Sequence, residues 1–397
     1  RGLGDVYKRQ GDKMTLPSEL LELVGKSPTL LLTFRSGKIL DDILEQGVLS
    51  AEELASTVRT AADIGDADTM QDILYDCSWK TVLEIILHDA DDLTVSTDLT
   101  LTGINRYNNV TVDSGITLTM GGQPSVLICN KLLNDGTISK TATGGDGGAP
   151  FVAPGAGGKG GGGLIIICKT LDNNSTIQAN GENGEAGSTT TDTGGGSAGA
   201  DGRLERIGTD TAGSGGKGGG SYGGAGNLGG GGGGDVGSLG EGGAGGSVTY
   251  VDNDNAAKLV EKIKKAAADW WLQNVVGKTP SSVADFPDIY GAGGGGGGDY
   301  DGRDDNGGGG GSGGEIIILC SELDNTGTIE ANGGTGGNGG TEGDEDAGGG
   351  GGGGGIVYAL YETLTNEGTL RALGGAGGTG DHNGNAGTDG TARAIAI

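Results

Sequence analysis

The chain has 397 residues, of which 94 are Gly and only 7 are Pro, and its formal net charge is -28. Its 3 Trp, 9 Tyr and 3 Phe are too few for the two or three conventional globular cores that this length allows, and the scarce Pro together with irregular Gly spacing excludes collagen. The negative charge opposes binding to nucleic acid or to an anionic membrane surface, and no apolar run approaches the roughly 18 residues of a membrane-spanning helix.

The first ten residues, RGLGDVYKRQ, resemble one translated frame of a transposase adapter used in sequencing libraries, and the match covers all ten positions. We treat 1–10 as an artefact and leave it out of the fold argument, as one would a tag. The natural N-terminus and any targeting signal would then be missing, so this end of the chain predicts no compartment.

Residues 11–90 carry the signals of a small α-helical head. Ser50 and Glu53 form a capping-box pattern ahead of an apolar periodic segment. Apolar residues recur at helical spacing before and after this box, at Leu16, Leu20, Leu23, Val24, Leu54 and Val58. The period then changes to two in LTVSTDLTLTG and NVTVDSGITLTM, which predicts β-strands from about residue 91 onward.

The strongest signal is an internal repeat, Leu-x-Asn-x-(Gly/Ser)-Thr-(Ile/Leu), which begins at Leu132, Leu171, Leu323 and Leu364. Each copy follows an apolar strand such as LIIIC, whose uninterrupted apolar character predicts that both faces are covered, as in parallel stacking. Stacked copies would place the Asn residues in one ladder, at a bend where Asn tolerates a left-handed backbone. SVTYVD at 247–252 resembles a further, degenerate copy. The repeat predicts a parallel β-solenoid over 91–397, contiguous from about residue 125.

Gly is concentrated after residue 143, where 82 of the 94 Gly residues lie. Tracts such as GGTGGNGGT at 333–341 have a period of three, which matches an extended helix of three residues per turn. We therefore predict laterally packed polyglycine-type helices continuous with the strands, the alternative being flexible Gly linkers. In that arrangement Thr335 lies on an exposed edge, and replacing Gly336 or Gly337 with Val is far more harmful than changing Thr335.

One insertion interrupts the repeats at about 253–277, where AAKLVEKIKKAAADWWLQNVV predicts a helix capped by Asp254 or Asn255. Its apolar face would comprise Leu259, Ile263, Ala266 and Trp270. Docking of this face on the side of the solenoid is the first interpretation, and a helix that binds a partner is the alternative.

Few residues are available for catalysis. The chain has 2 His, and the Gly-x-Ser-x-Gly matches arise by chance where Gly is this frequent, so we predict no enzyme and no cofactor. Cys129, Cys168 and Cys320 each lie three residues before a repeat Leu, which predicts a buried column of free thiols rather than a disulfide. The carboxylate-rich DYDGRDDNG at 299–307 predicts a solvated tip, with a Ca²⁺ site as the alternative.

The strands followed by Asn-x-Gly-Thr-Ile and by GG-x-GG tracts resemble the glycine-rich β-solenoid and polyglycine-helix adhesins of phage tail fibres and bacterial surfaces. The resemblance covers about residues 93–397 and implies a non-catalytic receptor-binding protein of a virion or a cell surface. Its partners would be a host glycan or an outer-surface protein, with other fibre subunits attached through the helical head. A structural fibre or matrix protein is the alternative, and an ice-binding protein is a third, although Thr137, Thr176, Thr328 and Thr369 form only one column.

Side chains that interrupt the Gly tracts are the candidates for receptor recognition, especially those of FPDIY at 286–290 and DYDGRDD at 299–305. Aromatic faces beside carboxylate and guanidinium groups suit sugars or exposed protein loops. The predicted receptor-binding residues are Tyr290, Tyr300, Asp301 and Arg303, and no metal site is assigned.

Overall fold

The computed structural model describes residues 16–142, 155–187, 197–220, 226, 228–235, 242–298, 306–340 and 346–397. Six helices precede the strands within these residues: α1 (Ser18–Gly25), α2 (Pro28–Phe34), α3 (Lys38–Glu45), α4 (Ala51–Ile64), α5 (Ala67–Asp76) and α6 (Trp79–Leu87). The predicted capping box is confirmed, because the Ser50 hydroxyl accepts the Glu53 N–H while the Glu53 carboxylate accepts the Ser50 N–H. We refer to α1–α6 as the head.

The rest of the fold is mainly parallel β structure. Its strands are β1 (Leu93–Val95), β2 (Leu99–Val112), β3 (Thr117–Asn134), β4 (Thr137–Lys140), β5 (Gly163–Asn173), β6 (Thr176–Gln178), β7 (Gly202–Ile207), β8 (Val248–Asn253), β9 (Glu315–Asn325), β10 (Thr328–Glu330), β11 (Ile356–Asn366), β12 (Thr369–Arg371) and β13 (Thr391–Ala396). Eleven of them form one sheet, which curls because β3 pairs with β4 through its first half and with β5 through its second half.

The predicted columns of repeat residues are confirmed in the strand register. Leu132, Leu171, Leu323 and Leu364 pair in sequence across β3, β5, β9 and β11. The Thr residues form a second column across β4, β6, β10 and β12. Cys129, Cys168 and Cys320 form a third, buried and free of disulfides, with Tyr361 as its next member. Hydrogen bonding to a neighbouring thiol, together with burial, raises the pKa of the Cys168 and Cys320 thiols.

The Asn ladder is present over three strands and ends at the fourth. The side-chain amide of Asn134 donates to Asn173 Oδ1 at 2.7 Å, and that of Asn173 donates to Asn325 Oδ1 at 2.6 Å. A register shift moves Asn366 opposite Asp324, so Asn366 bonds to that carboxylate instead. The predicted left-handed backbone is wrong, because none of these Asn residues has a positive φ. Buried amide-to-amide bonds, rather than backbone strain, account for Asn at this position.

The middle of the chain departs from the predicted continuous solenoid. SVTYVD does not join the large sheet: β8 pairs with β7 in a separate two-stranded parallel sheet, and β7 (GRLERI) was not predicted. This small sheet lies over the outer face of the large one, because the Glu205 N–H donates to the Glu315 carboxylate at 2.7 Å and the Ile207 N–H donates to the Tyr358 hydroxyl at 2.9 Å. The β7–β8 sheet therefore forms an additional layer over the large sheet instead of adding strands to it.

The strands are buried on both faces, as their uninterrupted apolar runs predict. On one face, Leu127, Ile166, Ile318 and their neighbours form a core inside the curled sheet. On the other face, Ile128, Ile167, Leu319 and their neighbours share a core with the head and with the inserted helix. The head is thus packed directly on the outer face of the sheet.

The inserted helix α7 (Ala256–Trp271) begins at the predicted cap, since the Asn255 side chain accepts the Lys258 N–H, and it continues as a π-helix over Leu272–Val276. Its buried face contacts the sheet, as predicted, but it also contacts the head. The buried Asp269 carboxylate accepts hydrogen bonds from Gln71 at 2.8 Å and from the Tyr75 hydroxyl at 2.5 Å. Lys264 donates to two backbone carbonyls of the head. Helix α7 therefore joins head and sheet.

Beyond the strands, extended Gly-rich tracts pack side by side. We call them the glycine bundle, comprising 155–162, 179–187, 197–201, 213–219, 229–235, 242–247, 291–298, 306–314, 331–340, 347–355, 372–380 and 384–390. Their backbone bonds recur every third residue: Gly307, Gly310 and Gly313 donate to carbonyls of 347–355. The intervening residues of 306–314 bond to other tracts, and this tract is bonded to six neighbours in all. The predicted period of three is confirmed in these bonds, and Thr335 is exposed as predicted.

Candidate functional site

A groove runs between α7, the segment after it and the β2 and β3 strands. Its volume is about 460 Å³, which falls within the range of small-molecule sites. We call it the Trp270 groove, and its lining comprises Ile104, Gln123, Pro124, Ala266, Trp270, Gln273, Asn274, Val283, Ala284, Asp285, Phe286, Pro287 and Asp288. The groove therefore joins the inserted helix to most of the FPDIY segment.

Aromatic and apolar groups form the walls of this groove. Trp270 is half-buried, Phe286 is buried at 8% exposure and Val283 is 40% exposed. Since α7 is fixed at Asp269, whose carboxylate also accepts the Ala284 N–H at 2.7 Å, the indole and the 283–288 segment are held against each other. This wall of the groove is therefore formed before any ligand binds.

The polar groups of the groove are mostly hydrogen-bond acceptors. Asp285 and Asp288 are exposed, and neither carboxylate has a hydrogen-bond or ion-pair partner among the residues that the structure describes. The amide nitrogens of Gln273 and Asn274 donate to carbonyls of their own helix at 3.2 and 2.9 Å, which leaves their amide oxygens as acceptors. No Lys or Arg is among the described residues that line the groove. The site is suited to a neutral or cationic ligand rich in hydrogen-bond donors.

Sequence reasoning assigned the two adjacent Trp residues incorrectly. Trp270 was placed on the docking face of the helix, but Trp271 is the buried one at 1% exposure and Trp270 borders the groove. Adjacent helical residues project about 100° apart, so only one of the pair can lie at the centre of the docking face. The WW pair itself was thus a signal that one indole would remain accessible.

The structure describes one of the four predicted receptor residues, Tyr290. Tyr290 is half-buried at the sheet end of the 291–298 tract, where its backbone pairs with that of Arg203. Tyr300, Asp301 and Arg303 lie outside the described residues. Within FPDIY, Phe286, Pro287 and Asp288 line the groove.

No group of three or more His, Cys, Asp or Glu side chains able to hold a metal ion occurs within the described ranges. The suggested Ca²⁺ segment at 299–307 lies outside those ranges except for Asn306 and Gly307. Across the same described ranges, no helix combines the length and the apolar character needed to cross a membrane.

A buried carboxylate pair lies between the two sheets, beneath α7. Glu315 is fully buried, with one oxygen bonded to the Glu205 N–H and the other without a hydrogen-bond partner among the described residues. Glu205 is also buried and accepts from Lys262 and Asn253. Burial raises the pKa of Glu315 well above its usual value, and the nearby Glu205 carboxylate adds to this effect. Because solvent does not reach Glu315, we assign the pair a structural role and not a binding role.

This pair predicts a pH effect on stability. The folded state retains a proton on Glu315 that the unfolded state releases above about pH 4.5, so the free energy of unfolding falls as the pH rises through that range. Glu315→Gln removes the titrating group, and we expect a higher melting temperature than wild type at about pH 8 and a smaller difference near pH 5.

Melting temperatures measured by circular dichroism across this pH range test the effect, with Glu322→Gln as the control because Glu322 is exposed on the same strand. A Glu315→Gln protein that keeps the pH dependence of the wild type would contradict it.

No protein-family model matches this chain, and neither a curated protein nor a solved structure matches it.

Proposed function

We propose that the protein is a non-catalytic adhesin that recognises surface glycans, the receptor-binding tip of a phage tail fibre or a related virion or cell-surface protein. The Trp270 groove is the observation that carries this proposal. Sugars present apolar C–H faces, which pack on an indole, and hydroxyl groups, which donate to carboxylate and amide oxygens. The groove offers both kinds of partner on one rigid wall.

The charge of the groove favours this ligand class over an anionic one. Among the described residues, the lining contains two carboxylates and no basic side chain, and the net charge of the chain is -28. A neutral oligosaccharide is not repelled by this field, whereas a phosphorylated or sulfated ligand is. The receptor class we propose is therefore a neutral or amino-sugar glycan.

The architecture supports the same role. We infer that the curled sheet and the glycine bundle together form a β-solenoid with polyglycine-type helices, as in the adhesins that the sequence resembles. Such a scaffold presents side chains only where its tracts are interrupted, and the FPDIY segment is one such interruption. The tip residues Tyr300, Asp301 and Arg303 remain proposed as a second contact with the receptor, and attachment to other subunits is proposed to involve the head.

Binding to a panel of neutral and amino-sugar oligosaccharides, followed by adsorption to host surfaces, tests the proposal. We expect Trp270→Ala to weaken binding about tenfold or more, because the stacking surface is lost, and Asp285→Asn with Asp288→Asn to weaken it further. Since Trp270 is only half-buried, the variant should remain folded, which its circular dichroism spectrum would verify.

Two controls separate this site from the rest of the surface. Asp91→Asn changes an exposed carboxylate away from the groove and should leave binding unchanged. Combined replacement of Tyr290, Tyr300, Asp301 and Arg303 tests the tip independently. Full binding by a folded Trp270→Ala protein would reject the groove as the glycan site.

A further inference from the structure

A second groove lies between the head and the outer face of the large sheet, remote in sequence from the Trp270 groove. Its volume is about 340 Å³. We call it the head groove, and its lining comprises Leu44, Glu45, Leu49, Ala51, Ser78, Lys80, Thr81, Leu83, Glu84, Lys169 and Ser321. None of these residues contributes to the glycan site proposed above.

The floor of the head groove carries a polar atom without a partner. Ser321 follows Cys320 on β9, so its side chain lies on the opposite face of the strand from the inner core and toward the head. The residue is 9% exposed, and its Oγ has no hydrogen-bond partner among the described residues. A buried hydroxyl without a partner is unfavourable in a folded protein. A ligand that bonds to Ser321 would relieve this deficit.

Two ion pairs lie on either side of Ser321. Lys169 on β5 pairs with Glu84 at 3.1 Å, and Glu362 on β11 pairs with Lys80 at 3.2 Å. Both lysines are more than half exposed, at 53% and 52%, whereas both glutamates are 31% exposed. The glutamate side chains are thus more buried than the lysine side chains, whose ammonium groups can turn toward solvent. A cationic ligand could therefore take the place of either lysine at these carboxylates.

The remaining wall is aliphatic. Leu49 and Leu83 are buried at 6% and 4% exposure, and Leu44 and Ala51 are partly buried beside them. At the rim, Glu45 is exposed and has no hydrogen-bond or ion-pair partner among the described residues. The alkyl chain of a ligand can pack on these leucines. A positive charge on the ligand can then contact the carboxylates beside Ser321 or the Glu45 carboxylate at the rim. The described residues of this lining include no aromatic side chain on which a sugar could stack.

We propose that the head groove binds a primary alkylammonium ion, with the ammonium group donating to Ser321 Oγ and to the Glu84 and Glu362 carboxylates. The alkyl chain packs on Leu44, Leu49 and Leu83, and a second ammonium group at the far end of a diamine reaches Glu45. A free diamine and the side chain of an exposed lysine on another protein share this chemistry. The inference does not depend on the glycan site.

Calorimetric titration of the full chain at low salt tests the site, with cadaverine as the diamine, pentanol as the neutral analogue and valerate as the anionic one. We expect saturable binding of cadaverine only. Ser321→Ala should weaken it about tenfold while leaving the melting temperature unchanged or slightly higher, because the lost hydroxyl makes no bond in the folded chain.

Two charge variants, one for each partner of the Lys169–Glu84 ion pair, test which partner binds the ligand. Glu84→Gln should weaken cadaverine binding several-fold, whereas Lys169→Gln should strengthen it, because a competing cation is removed. A lysine-containing pentapeptide, compared with the same peptide with acetylated lysine, distinguishes a protein source from a free diamine. Unchanged binding by Ser321→Ala, preference for valerate, or equal effects of the two charge variants would overturn the proposal.

Discussion

Gly310→Ala is expected to be strongly destabilising. Gly310 lies in the 306–314 tract, which is bonded to six neighbouring tracts. A Cβ atom at this position would lie 2.1 Å from the Gly334 carbonyl oxygen. The backbone cannot move away, because the Gly310 N–H bonds to Gly350 and its carbonyl accepts from Gly231, both at 2.9 Å. We expect a loss above about 4 kcal/mol, beyond the usual range for overpacking.

The measurement is soluble yield together with the thermal unfolding curve, and Thr335→Ala is the control because Thr335 is exposed on an outer edge of the bundle. Gly336→Val and Gly337→Val should resemble Gly310→Ala, since their Cβ atoms would lie 2.0 and 1.8 Å from backbone oxygens. A Gly310→Ala protein that melts within a few degrees of the wild type would refute the tight lateral packing of the tracts.

Asn173→Ala is expected to have the second-largest effect, because Asn173 is the middle residue of the buried ladder. Its removal leaves Asn325 Oδ1 without its 2.6 Å donor and takes from Asn134 the 2.7 Å acceptor of its side-chain amide. All three residues are fully buried, so water cannot replace these bonds without entering the core. We expect a loss of about 3 kcal/mol in the free energy of unfolding.

Urea denaturation measures this loss as a lower midpoint with an unchanged slope. Asn366→Ala is the matched control, since Asn366 occupies the same repeat position but is exposed, and among the described residues its side chain bonds only to Asp324. Its effect should stay below about 0.5 kcal/mol. Equal losses from the two substitutions would show that the position matters for the turn and not for the buried amide bonds.

The repeat made the stacking of strands predictable from the sequence. Leu132, Leu171, Leu323 and Leu364 share one pattern, and identical patterns pair in register when parallel strands stack. The period of three likewise predicted lateral bonding of the Gly tracts. Which tract lies beside which could not be predicted, because Gly residues carry no side chains that distinguish one neighbour from another.

The candidate site was less accessible to sequence reasoning. FPDIY was identified as an interruption among Gly tracts, and three of its residues do line the Trp270 groove. The other walls come from α7 and from Gln123 and Pro124, which are distant in sequence and carry no shared motif. The packing of α7 against the head depends on Asp269 and Lys264, whose charges on a helix gave no indication of burial.

The bonds of the glycine bundle have a mechanical consequence. Because the tracts lie side by side and bond laterally in several directions, a force along the tract axis loads these bonds in shear. Sliding one tract past its neighbours requires several bonds to break together, whereas peeling a sheet edge breaks them one after another. An anchor at one end of the bundle and a load at the other would therefore be joined by a stiff connection that contains almost no side chains.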